Sequence, residues 1–123
     1  MTVIGRLKSR SEFLFVKGGT RFAAPSLVLQ ARPRASGAPD GSARFGFTAS
    51  KTIGGAVERN RARRRLKEAV RLAGPQAAVA GYDYVLIARS GTLQRRFAEL
   101  IKDFERALAK VHAPSRQSDA RRP

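Results

Sequence analysis

The 123-residue chain contains no cysteine, a single histidine and only nine acidic residues. Without cysteine there are no disulfides and no thiolate metal sites. A nuclease that holds its own two metal ions needs several clustered carboxylates. The sequence has no Asp-x-Asp, Glu-x-x-Asp or His-Glu-x-x-His pattern. Asp83 stands alone in a predicted strand, and Asp103 and Glu105 fall in the exposed register of a predicted helix. The one histidine, His112, comes at the start of a polar tail, a poor place for general acid–base work. Ser50-Lys51 has no visible oxyanion or orienting partner, so a Ser-Lys hydrolase is not expected. No run approaches the ~20 apolar residues of a membrane helix. Arg6 and Lys8 are not followed by a signal-peptide core. A soluble, cytoplasmic protein with no membrane partner is the expectation.

What the chain has in excess is positive charge. Twenty-five Lys and Arg against nine Asp and Glu give +16 on 13.4 kDa, with a pI near 11.8. Such a chain repels itself unless a polyanion neutralises it. The apolar fraction, 42%, is that of an ordinary folded protein. One domain with one modest core follows from the length.

Hydrophobic periodicity outlines that domain. Ser9-x-x-Glu12 has the form of a capping box, opening a short helix that Gly18 and Gly19 stop. Residues 22–31 have strand composition, and 44–50 alternate with Phe45 and Phe47 on one face. The turn-rich stretch 32–43 between them suggests a hairpin with a long loop. A helix is expected at 56–72, with Ala62, Leu66, Ala69, Val70 and Ala73 as its apolar stripe and Gly74-Pro75 as its end. Residues 82–89 are almost continuously apolar, as in a strand covered on both faces. A last helix opens near Thr92, with Leu93, Phe97, Leu100, Ile101, Phe104, Leu108 and Val111 on one side. Residues 113–123 are polar and basic and are expected to be disordered. The order helix, strands, helix, strand, helix predicts a single small α/β (α+β) domain over residues 1–112, with a sheet of about four strands.

The helix at 56–72 carries most of the functional signal. Residues 51–71 hold eight basic and two acidic side chains. Arg59, Arg63, Lys67 and Arg71 form an i, i+4 row beside the apolar stripe. Asn60 and Arg64 extend it, and Arg61 and Arg65 complete the solvent side. Like charges at this spacing weaken an isolated helix by a few tenths of a kcal/mol per pair. An ordinary solvated face mixes its signs; this one suits phosphate. Gly54-Gly55 would also let the helix N-terminal amides approach a phosphate. A DNA-reading helix would carry more Asn, Gln and Ser to reach bases.

The run RFGFTASKTIGGAVERNRARRRLKE at residues 44–68 resembles the signature of bacterial ribonuclease P protein subunits. There, a strand ending in Ser-Lys leads through a glycine turn to Ala-Val-x-Arg-Asn-Arg and further basic residues. Arg6-Leu7-Lys8 with Phe13, and the strand at 83–89, resemble other parts of that family. The resemblance implies a protein that assists a catalytic RNA in removing the 5′ leader of precursor tRNA by Mg²⁺-dependent hydrolysis, the chemistry residing in the RNA. Its partners would be ribonuclease P RNA and precursor tRNA, with Mg²⁺ held mainly by RNA and no obligatory protein partner. It implies catalytic-RNA contacts at Lys51, Arg59, Asn60, Arg61, Arg63, Arg64 and Lys67. It also implies a leader cleft between the first helix and the sheet, with Phe13, Lys17, Val28, Gln30 and Thr48, and a left-handed strand-helix-strand crossover. Lys17 and Gln30 stand where aromatics are frequent in the family, so charge and hydrogen bonding gain weight in this cleft. A ribosomal-type structural RNA-binding protein is the alternative that charge and size alone allow.

Overall fold

The computed structural model describes residues 2–36 and 40–113. The predicted tail therefore lies, beyond Ala113, outside the described residues. The chain opens with a strand the sequence did not announce, β1 (Val3–Arg6), then α1 (Arg10–Lys17). Ser9 caps α1 as expected. Its Oγ accepts from the Glu12 amide at 3.3 Å, and Glu12 Oε1 accepts from the amides of Ser9 at 3.0 Å and Lys8 at 2.6 Å. Gly19 follows where the chain passes against the neighbouring strand. A Cβ there would sit 2.1 Å from the Ala31 carbonyl oxygen.

Residues 22–31 prove to be parts of two strands, β2 (Thr20–Ala23) and β3 (Leu27–Pro33), paired as an antiparallel hairpin around Pro25. After β4 (Ser42–Thr48), a 3-10 turn at Lys51–Ile53 leads into α2 (Ala56–Ala77) and β5 (Tyr82–Ala88). The sheet has five strands, not four, in the order β1-β4-β5-β3-β2. The expected hairpin between β3 and β4 does not form, because β5 lies between them, antiparallel to β3 and parallel to β4. Parallel neighbours need a crossover, and α2 supplies it. This makes the most apolar strand the central one, buried on both faces as its composition requires.

One face of the sheet packs on α2 and on α4 (Phe97–Val111), around Leu27, Leu29, Phe45, Leu66, Tyr84, Leu86, Leu100 and Phe104. Phe45 stacks on Tyr84 with centroids 4.6 Å apart, and Phe104 meets Phe45 edge-on at 6.1 Å. Such pairs add about 0.5–1.5 kcal/mol each to simple burial. The other face is covered by α1, whose Val16 meets Leu7 and Val85.

Two helix boundaries differ from expectation. Helix α2 runs through Gly74 and Pro75 to Ala77. Near its end, carbonyls of the last turn are satisfied from outside: Thr2 donates its amide to Pro75 at 2.7 Å and its hydroxyl to Ala78 at 2.8 Å. The last helix is in fact two, α3 (Ser90–Gln94) and α4, so Leu93 and Phe97 belong to different elements. Thr92 is buried inside α3, accepting from the Arg89 amide at 2.9 Å and donating to the Ser26 carbonyl. The guanidinium of Arg65 holds the carbonyls of Thr92, at 2.7 Å, and Arg95. Arg65 is thus a strut between α2 and the α3–α4 break, not part of a solvent face.

Three further polar residues were misplaced by sequence. Asp103 is buried, accepting from Ser26 Oγ at 2.7 Å with Arg95 Nε 2.9 Å away; Glu105 is exposed as expected. Asp83 is not alone: it is 1% exposed, 2.7 Å from both Arg34 and Arg44. His112 ends α4 instead of opening a tail, and its Nε2 lies 2.6 Å from the Tyr84 hydroxyl. Each misplacement has one cause: a polar partner distant in sequence.

Candidate nucleic-acid interface

The basic residues of α2 divide according to what the core takes. Leu66, Ala62, Ala69, Val70 and Ala73 are buried, as the stripe predicted. Arg65 is drawn sideways onto the α3–α4 break and lies 5.8 Å over the Phe97 ring. Arg71 is bound to Glu68. What remains outward is Arg59, Asn60, Arg61, Arg63, Arg64 and Lys67. Val57, Asn60, Arg63, Arg64 and Lys67 line a depression of about 540 Å³ along the helix. Arg63 donates to Asn60 Oδ1 at 2.6 Å. Arg59, Arg61, Arg64 and Lys67 have no ion pair among the described residues. Lys51 is exposed in the turn that precedes α2.

The N-terminus of α2 is less open to phosphate than the paired glycines suggested. Gly54 has φ +144°, where a side chain would be strained, and a Cβ would meet Glu58 Cβ at 2.9 Å. Glu58 folds back onto the Gly55 amide at 3.0 Å, so the helix end already has an internal anion. The side chains, not the helix terminus, form the cationic surface.

On the opposite face of the sheet, α1 and the strands enclose a cleft of about 330 Å³. Four of the five sequence-predicted cleft residues line it: Phe13, Lys17, Gln30 and Thr48. Val28, 6% exposed, is not among the lining residues. Four lining residues were missed: Arg10, Leu14, Val85 and Ile87. The first two were detectable, because Arg10, Phe13, Leu14 and Lys17 follow the i, i+3, i+4, i+7 spacing of one helix face. Val85 and Ile87 were not, since nothing local places β5 between β3 and β4. The cleft joins an apolar floor to two cations, Arg10 and Lys17. The buried amide side chain of Gln30 adds hydrogen-bonding capacity.

An ion-pair chain holds α1 over this cleft. Glu12 accepts from Arg44 at 3.1 Å, and Arg44 reaches Asp83 at 2.7 and 2.9 Å. The amides of Lys8 and Ser9, helped by the Arg44 guanidinium, hold the Glu12 carboxyl below its ordinary pKa. Asp83 in turn raises the pKa of Arg44. Asp83 and Asp103 are committed to arginines, and no three His, Asp or Glu side chains come together among the described residues.

Comparisons with known proteins agree over most of the chain. The Ribonuclease P family profile matches residues 1–112. The ribonuclease P protein component of Ruegeria pomeroyi is 50% identical over 112 residues, covering 90% of this chain and 89% of its own. That of Paramagnetospirillum magneticum is 48% identical over 123 residues, covering 98% and 92%. The fold is similar to the RNase P protein of Staphylococcus aureus, with TM-score 0.71 at 23% identity over 87% of this chain and 94% of that one. The Thermotoga maritima protein gives 0.71 at 24% identity over 85% and 96%. With a basic crossover helix on one face of its sheet and a cleft on the other, the chain belongs to the ribonuclease P protein family, the protein component of an endoribonuclease ribonucleoprotein.

Proposed function

We propose that this protein binds the catalytic ribonuclease P RNA along α2 and the 5′ leader of precursor tRNA in the α1 cleft. The observation that carries this is the pairing of two different cationic surfaces on opposite faces of one sheet. The α2 surface is broad and almost purely phosphate-type, with Lys51, Arg59, Asn60, Arg61, Arg63, Arg64 and Lys67 contributing. The α1 cleft is narrow and part apolar, with Arg10, Phe13, Lys17, Gln30 and Thr48 suited to a single strand. Aromatic and aliphatic surface takes bases while Arg10 and Lys17 track the backbone. One small domain can then hold an RNA and the extension of its substrate together.

Mg²⁺ supplies the metal-assisted hydrolysis in this proposal, and it rests on the RNA. The protein's share is to neutralise phosphates that would repel one another, lowering the Mg²⁺ needed for assembly. The same reasoning places the protein in the cytoplasm, where precursor tRNA is made. The test is cleavage of a precursor tRNA by a bacterial ribonuclease P RNA at low Mg²⁺, with and without this protein. Release of the leader at the mature 5′ end only with both present is expected. Cleavage by the protein alone would move the chemistry onto the protein; no stimulation would favour a ribosomal-type role.

A further inference from the structure

Arg6, Lys67 and Arg71 ring a third groove, of about 450 Å³, where α2 overhangs the β1 edge of the sheet. Its floor includes Ile4, Phe47 and Val70. The volume lies within the ~300–1,000 Å³ of small-molecule clefts. At the end of the groove α2 packs on β1 through Gly74. A Cβ on Gly74 would meet Val70 Cγ1 at 3.1 Å and Ile4 Cδ1 at 3.4 Å.

Two features decide what could occupy it. First, the walls are apolar but the rim is cationic, and Arg6 and Lys67 have no ion pair among the described residues. Arg71 shares its charge with Glu68. An apolar floor with rim cations suits a flat group attached to an anion, which is the chemistry of a nucleotide. Second, Lys67 lines both this groove and the depression along α2. The cationic surface is continuous around the helix.

We propose that the groove takes one unstacked nucleobase of the RNA bound along α2, with the base against Phe47, Ile4 and Val70 and its flanking phosphates on Arg6 and Lys67. The inference rests on RNA binding at α2 but adds a base pocket on the far side of that helix, separate from the α1 cleft. A base so held fixes the rotational setting of the RNA about α2, which phosphate contacts along one row leave free.

The experiment uses the full chain with labelled isoleucine and valine methyls, bound to a bacterial ribonuclease P RNA. Saturation is transferred from the ribose and base protons of the RNA. Val57, exposed at the start of α2, reports the outer surface; Ile4 and Val70 report the groove. Attenuation of all three methyl groups is expected. Loss at Val57 alone would overturn the groove while leaving RNA on α2. Silence at all three in a formed complex would overturn both. In addition, Ile4→Glu is expected to weaken RNA binding on the order of tenfold, the worth of one stacked base, with cooperative melting retained. Unchanged affinity in a folded variant would also overturn the base pocket.

Discussion

Gly46 lies directly beneath the ring of Phe13: a Cβ at position 46 would sit 2.5 Å from the ring's Cε2 and Cζ. The missing side chain on β4 is what lets the aromatic of α1 rest on the sheet, where it lines the cleft. Gly46→Ala is expected to push Phe13, and α1 with it, away from the strands. Overpacking of this kind costs about 1–3 kcal/mol. The variant should also lose preference for a precursor tRNA bearing a leader over mature tRNA. Paired affinity measurements with the catalytic RNA present check this, and an undiminished preference would remove Phe13 from the leader contact.

Charge on the outer face of α2 should act on RNA rather than on folding. Arg59→Gln, Arg63→Gln and Lys67→Gln together are expected to flatten the log K against log[salt] slope by about 2, at ~0.7–0.9 per phosphate contact. Melting should hardly change. An unaltered slope would take α2 out of the RNA interface.

Arg65 supplies the contrast on the same helix. Arg65→Ala strips the Thr92 and Arg95 carbonyls of their donor. A loss of ~1.5–3 kcal/mol in denaturant unfolding is expected, with the salt slope intact. A changed slope with unchanged stability would return Arg65 to the RNA-facing set.

Asp83 is the shared negative charge between Arg34 and Arg44 beneath the sheet surface. Asp83→Asn should destabilise by ~3–5 kcal/mol, nearer the lower figure because Arg44 is partly exposed. The denaturation midpoint reads this out. A cost under about 1 kcal/mol would mean the network is as replaceable as a surface salt bridge.

Burial pushes the His112 imidazole below its ordinary value of 6.5. The unfolded chain then binds the proton more readily, so this contribution is full above pH 6.5 and is lost as pH falls from there towards the depressed folded value. The melting temperature of the native protein should drop as pH is lowered below about 6.5, and less so in His112→Gln. The lowered carboxylates Glu12 and Asp40 contribute stability above their ordinary values of 4.5 and 3.8 and lose it only as pH falls below those. Identical pH profiles for the two proteins would exclude His112 as the source.

Periodicity located α1, α2, most of α4 and β5, because each buries a stripe or run that repeats at its own helical or strand spacing. It missed β1, whose four residues gain their conformation from pairing with β4. It placed Arg65, Asp103 and His112 on the outside because each is polar and their partners, Thr92, Ser26 and Tyr84, lie 27 to 77 positions away. For the candidate surfaces, the α2 cations were evident from helical spacing, whereas the cleft was indicated only by the family resemblance, which left out Arg10, Leu14, Val85 and Ile87.

Charge, the capping box, the apolar stripe of α2 and the Ser-Lys to Arg-Asn-Arg run are local properties, complete within a few turns of chain. From them came the domain class, the polyanion partner and the family. Strand order belongs to the tertiary structure. Only when β5 enters between β3 and β4 do Val85 and Ile87 become a cleft floor, Asp83 an arginine bridge, and Gly46 the seat of Phe13. Strand pairing is a competition among distant segments for one set of backbone partners, and side-chain burial on both faces, rather than any single segment's preference, resolves it.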